Sequence, residues 1–294
     1  FAESGALRFV LLVGDDTFDP RDYVGIGSRS FVPSLYGRDS SWGLVPSETP
    51  YADVDDDGRP DLAIGRLPVH TAVEADAVID KIAAQTAALH ALRGAQLVVS
   101  DNASETDAPF REDAERALFL LPASRDVRWS DVAQGTAAAR DTLLQGWDDG
   151  VLLSHYFGHG GLTEWADEQV LSHDDLAAFG DDWKPTVLFT WACLSQWHVG
   201  VDGPSLNEAL LLLPEGGAVA SFGPAGITSP ARQAILNQAL YAQLAQPDVT
   251  LGEAIQVAKN LALDIEPNAN EVTEGFLLLG DPALLIPWPE VVPQ

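Results

Sequence analysis

Residues 151–165 read VLLSHYFGHGGLTEW. From Val151 to Phe157 the run is apolar or aromatic apart from Ser154 and His155, as suits a strand buried on both faces of a parallel sheet. Gly158-His159-Gly160-Gly161 then ends regular structure. Three glycines in four positions give the backbone access to angles that side chains avoid. A histidine held at the mouth of a buried strand by such neighbours can reach a substrate, and the backbone beside it can approach one closely. The stretch therefore predicts both a parallel strand and a candidate site at its carboxyl end.

The same signature recurs on either side. RFVLLVGD (8–15), DLAIGRLPV (61–69), AQLVVSDN (95–102), PTVLFTWACLSQ (185–196) and AVASFGP (218–224) read as further strands. Between them lie helical patterns. TAVEADAVIDKIAAQTAALHALRG (71–94) opens on Thr71 and closes on Gly94, which suits a C-cap. FREDAERALFLLP, TAAARDTLLQG, SHDDLAAFG, SLNEALLLLPEGG and two closing helices follow the same logic. Apolar strands alternating with helices predict a mainly parallel sheet covered on both faces, whose sites lie at the carboxyl ends of its strands.

Three of those ends carry chemistry: Asp101 after LVVS, His159 after LLSHYFG, and Cys193 after VLFTWA. Each alone has an ordinary reading, as a helix cap, a turn residue or a small buried side chain. Together they point to a thiol nucleophile. Composition narrows the partners. The 294 residues carry 44 acidic and 16 basic side chains, a net charge of −28. That field repels phosphate backbones, so nucleic acid is not the expected partner, while cationic peptides and metal ions are favoured. No apolar run approaches bilayer length, so no membrane insertion is expected. One cysteine excludes a disulfide framework, and the scattered histidines give no zinc spacing. The chain begins at Phe1 and holds no methionine, which reads as a piece of a longer precursor with a removed propeptide or further domains.

YFGHGG followed some thirty residues later by TWACLS resembles the clan of caspases, legumains and gingipains. LLVGD (11–15), YADVDDDGRPDLAIGRLPV (51–69) and LGDPALLIP (279–287) narrow the resemblance to the gingipain-like cysteine peptidases of family C25. It runs in order from about residue 8 to 287. It implies a caspase-like three-layer α/β/α sandwich in two subdomains, residues 1–94 and a catalytic 95–294, each with a mainly parallel sheet. It implies a cysteine endopeptidase acting outside the cytoplasm on proteins or peptides, with Cys193 as nucleophile and His159 as general acid and base. Gly160 and Cys193 would supply the oxyanion-hole N–H groups, and Asp101 would orient the histidine, an Asp in place of the family's Glu. By the same resemblance the P1 pocket involves Glu112, eleven positions after Asp101, together with Phe157 and Trp191. The last two are bulky and apolar, which departs from a pocket for Arg or Lys and leaves an apolar or small P1 open.

DVDDDGRPD (53–61) matches the start of an EF-hand-type loop, with Asp53, Asp55, Asp57 and Asp61 as candidate calcium ligands in a structural role. No glutamate follows at the twelfth position. His155 reads as a core histidine, and His198 as either a cleft or a loop residue. Two other functions fit the family: a sortase-like transpeptidase and a catalytically silent binding domain. Retention of both His159 and Cys193 argues against the second. A flavodoxin-like nucleotide binder lacks any phosphate-binding glycine motif.

Overall fold

The computed structural model describes residues 7–38, 43–89, 92, 95–102, 108–122, 126–177 and 183–288. Its strands are β1 (Phe9–Val13), β2 (Leu35–Gly37), β3 (Val45–Ser47), β4 (Ala63–Leu67), β5 (Gln96–Ser100), β6 (Val127–Asp131), β7 (Leu153–Phe157), β8 (Glu164–Trp165), β9 (Leu171–Ser172), β10 (Thr186–Trp191), β11 (Ala218–Pro224) and β12 (Phe276–Gly280). The helices are α1 (Thr49–Ala52), α2 (Ala72–Leu89), α3 (Phe110–Leu118), α4 (Thr136–Asp149), α5 (His173–Leu176), α6 (Leu206–Leu212), α7 (Pro230–Leu244), α8 (Leu251–Ile265) and α9 (Asn270–Gly275).

Eight strands form one sheet in the order β1-β4-β12-β11-β10-β7-β5-β6. Every neighbouring pair is parallel except β11 and β12. Side chains alternate between two helical layers, as strand geometry requires. On one face Val98, Phe157, Val187, Phe189 and Trp191 pack with α3, α7 and α8. On the other, Leu97, Val99, Tyr156 and Leu188 pack with α4 and α6. The three-layer α/β/α class is therefore as the sequence reads. α2 opens as expected, with Thr71 Oγ1 accepting the Glu74 N–H at 3.1 Å. Gly94, the expected helix cap and division point, lies outside the described residues.

The expectation of one sheet for each half is corrected by the junction. β4 and β12 meet at Arg66 and Leu279, so the strands of both halves form a continuous sheet. Gly65 makes that approach possible, and Gly280 makes possible the approach of β12 to β11. A Cβ on Gly65 would run into the carbonyl oxygen of Gly280, and one on Gly280 would lie 2.8 Å from the Ala220 Cβ. Gly280 also takes φ 138°, where side chains are strained. The Gly-Arg and Gly-Asp-Pro motifs are thus packing devices that close the sheet. Beside them Arg66, wholly buried, bonds Glu48 and two backbone carbonyls.

Candidate active site

β5, β7 and β10 are neighbours, and Ser100, Phe157 and Trp191 stand in register across them. The ladders continue one step further. Asp101 N–H donates to Phe157 O at 2.8 Å, and Gly158 N–H donates to Trp191 O at 3.0 Å. Asp101 is one residue past its strand, and His159 and Cys193 are each two past theirs. In-register ends therefore bring the three together.

The glycines around His159 act through space rather than backbone angle. Gly158, Gly160 and Gly161 are absent from the positive-φ positions, which corrects the sequence expectation. A Cβ on Gly158 would collide with Asp101 Cβ and the Tyr156 hydroxyl. One on Gly160 would stand 3.0 Å from Ala192 Cβ and 3.0 Å from Cys193 O, and one on Gly161 would strike Glu164. So the His loop lies flat against the Cys loop because nothing projects between them.

His159 is clamped by its own backbone. Its N–H donates to Asp101 Oδ2 at 2.9 Å, while its carbonyl accepts from Tyr156 Oη at 2.5 Å and from Ala166 N–H at 2.9 Å. Asp101 Oδ1 accepts the Asn102 N–H at 2.7 Å. Burial raises the Asp101 pKa, opposed by the hydrogen bonds from those two N–H groups. The imidazole meets the Phe110 ring edge to face, with centroids 5.1 Å apart. Gly160 pairs with Trp165 through bonds made by its neighbours, His159 O and Gly161 N–H, which leaves its own N–H directed away from that segment.

Cys193 sits on a sharp turn. Leu194 adopts φ 59°, and its N–H donates to Gly226 O at 3.0 Å. The carbonyl of Ala192 accepts from Thr228 Oγ1 at 3.1 Å and from Gln233 Nε2 at 2.7 Å, and Gln233 also donates to Thr228 Oγ1 at 2.7 Å. Cys193 Sγ lies 3.7 Å from Thr228 O. Thr228 and Gln233 went unnoticed in the sequence, where no motif marks them. Their signal is a hydroxyl and an amide flanking Ser-Pro at the start of α7, a place that reads as ordinary capping. Below the turn, Gln196, Thr190, Asn207 and Ser221 form a buried hydrogen-bonded network joining the turn to β10, β11 and α6.

His159 and Cys193 line one cavity of about 730 Å³ with Ala108, Phe110, Asp113, Arg116, Ala231 and Ala234. The three expected pocket residues are not among its walls. Phe157 and Trp191 are each 1 % exposed, stacked on one another at 6.2 Å in the aromatic core below. They share the β7 and β10 face that α7 covers, which is why they turn inward. Glu112 is exposed, and the acid in the cavity wall is the next residue, Asp113, buried and ion-paired with Arg116. Glu112 stands one position away on the helix, about 100° of rotation from Asp113. His155 is a core residue as expected, its Nδ1 2.5 Å from Tyr241 Oη, with burial lowering its pKa to about 3. His198 is buried away from this cavity, its Nε2 2.9 Å from Ser34 Oγ.

In the acidic loop, ligand atoms of Asp53, Asp55 and Asp61 lie within 4.8 Å of one another. Asp57 is outside this group. Its Oδ1 accepts the Arg59 N–H at 2.9 Å, closing the turn. The Asp55 pKa is raised, first by the charge of Asp57.

A buried mainly parallel sheet with a thiol and an imidazole at adjacent strand ends defines the caspase-like α/β class. The family model for peptidase family C25 matches residues 2–287, and the chain belongs to that family of cysteine-type peptidases. No curated protein matches it in sequence. Among solved structures it is similar to the complex of Porphyromonas gingivalis RgpB pro- and mature domains, with TM-score 0.75 and 18% identity over 96% of this chain and 66% of that one. It is equally similar to the Arg-specific cysteine proteinase gingipain R, with TM-score 0.75, 18% identity, and 96% and 65% coverage. A third structure, described as a protease, has TM-score 0.77 and 18% identity over 97% of this chain and 65% of that one. The chain thus spans slightly less than two thirds of the length of the structures it matches.

Proposed function

We propose that this chain is a cysteine endopeptidase working through Cys193 and His159. The observation that carries the reading is that both residues line one cavity at in-register strand ends. In the reaction, His159 takes the proton from Cys193 Sγ, and the sulfur attacks the scissile carbonyl. The oxyanion is met by the N–H groups of Gly160 and Cys193. His159 passes its proton to the leaving amine as the C–N bond breaks, giving a thioester. Water then loses a proton to His159 and attacks the thioester; the C–S bond breaks and the sulfur recovers the proton. Asp101 is a positioning residue, holding the histidine through its backbone N–H. The cavity's apolar walls, and an acid already paired with Arg116, support an uncharged P1 side chain. Action outside the cytoplasm and release from a propeptide belong to the same proposal; one similar structure is a complex of pro- and mature domains.

A peptidyl acyloxymethyl ketone, a thiol-directed probe, tests it. Intact-mass analysis is expected to show one adduct, mapped to Cys193, with labelling slowed by roughly 10²-fold or more in His159→Ala. No adduct, or labelling indifferent to His159, would reject the dyad.

We also propose that Asp53, Asp55 and Asp61 hold a structural calcium ion. Three converging carboxylates fit a hard cation, and their mutual repulsion is what such an ion relieves. Calcium is expected to raise Tm by at least about 2 °C over the chelated protein, and to have no such effect on Asp55→Asn. Equal melting with calcium and with chelator would leave the loop a solvated turn.

A further inference from the structure

A second polar cavity has a volume of about 320 Å³. Its walls come from the segments following β1, β4 and β10, with Asp15, Asp16, His70 and His198, and from the first turn of α6, with Glu208. Asp15 is only 3 % exposed; its Oδ2 lies 2.9 Å from His70 Nε2, while its Oδ1 is buried with no hydrogen-bond partner. His198, 2 % exposed, likewise has a buried Nδ1 without a partner. Asp16 Oδ2 accepts the Ser34 N–H, and Glu208 Oε2 accepts the Ser205 N–H. Burial raises the pKa of both Asp15 and Glu208, the direction expected of carboxylates desolvated without enough positive charge. Arg29 also lines the cavity, from an exposed position.

Such a cavity is short of a cation. A bare metal ion is a poor fit, because among the described residues three ligand atoms converge within 4.8 Å only in the Asp53 loop. Carboxylates set further apart around a larger space suit an organic cation, whose several N–H donors can each meet a different acceptor. Ile26 and Phe31 at the wall offer apolar surface to an alkyl stem.

The surroundings say how such a group arrives. A neighbouring trench is lined by Phe18, Leu162, Trp197 and the Gly200–Pro204 segment, part of which also lines the acidic cavity. Leu162 follows the glycines of the His loop and Trp197 follows Cys193 by four residues. A chain lying in this trench adjoins the acidic cavity through that shared segment.

We propose that the acidic cavity is a remote subsite for polypeptide substrates, taking the guanidinium or ammonium end of an Arg or Lys side chain several residues from the scissile bond. The subsite rests on the peptidase reading, but its test does not require turnover. Short Ala/Ser peptides carrying one arginine, moved position by position, would be titrated into Cys193→Ala protein beside the same peptides carrying neutral citrulline. One register is expected to bind at least about tenfold tighter with arginine. A lysine set would show whether ammonium serves as well. Asp15→Asn and Glu208→Gln should each erase the arginine preference, the latter keeping the α6 capping box because glutamine can fill it. Asp113→Asn should leave the preference intact, which separates this cavity from the P1 pocket. Equal binding of arginine and citrulline peptides at every register, or a preference that survives both carboxylate variants, would overturn the subsite. Binding as expected without any Cys193-dependent cleavage would instead reject the peptidase reading and keep the cavity as a peptide-binding site.

Discussion

Cys193→Ala is expected to lower peptide-bond cleavage by about 10⁴-fold or more while leaving the melting temperature within about 2 °C of wild type. The chemical half follows from the thioester route, which has no substitute nucleophile once the sulfur is gone. Ser195, the nearest hydroxyl in sequence, is fully buried. The structural half follows from how the turn is held. Leu194 N–H, the Ala192 carbonyl and the Gln196 amide carry the bonds that fix it, and none of these involves Sγ. Alanine removes a contact from Sγ to Thr228 O at 3.7 Å, made by a weak S–H donor. Steady-state cleavage of a peptide library together with calorimetry checks both halves. Cleavage that persists in the variant would reject the mechanism; a large fall in Tm would mean the sulfur is a packing group.

The central strands were legible because they are buried on both faces, so their sequences are unbroken apolar runs. The candidates His159 and Cys193 were legible because each follows such a run. β6 was missed for the converse reason. It forms the outer edge beyond β5, and in VRWSD only Ser130 is buried, so neither an apolar run nor a clean alternation appears. The pocket was the weakest reading. Phe157 and Trp191 were placed by position alone, yet strand periodicity already puts them on one face with Leu153, His155, Val187 and Phe189. Asp113 was missed for Glu112 because both are acids in the first turn of α3, and only packing shows which faces the cavity. The acidic subsite had no sequence signal at all. Its carboxylates come from residues 15, 16 and 208, joined only when β1 and β10 take their places in the sheet.

Arg66→Met is expected to destabilise the fold by about 3–5 kcal/mol, the usual cost of stranding one member of a buried ion pair. For a chain of this size that is a fall in Tm of roughly 5–8 °C. Arg66 is 0 % exposed; Nε and one terminal nitrogen reach Glu48 at 2.6 and 3.2 Å, and the other terminal nitrogen reaches Gly14 O at 2.6 Å and Val32 O at 2.8 Å. One side chain therefore ties β4 to the end of β1, to the loop before β2 and to the start of α1. Its loss leaves Glu48 facing Lys259, whose pKa burial lowers to about 8, and a neutral His198, Nε2 3.8 Å away. Adding Glu48→Leu to Arg66→Met removes the stranded charge and should recover part of the loss. The remainder reports the two carbonyls left without a donor, at about 1–3 kcal/mol each. Urea unfolding of the two variants separates these contributions. If Arg66→Met unfolds within about 1 kcal/mol of wild type, β4, β1 and α1 hold together without the buried arginine, which then has another purpose. Such a result would turn attention to Asp15, which directly follows the Gly14 carbonyl that Arg66 holds.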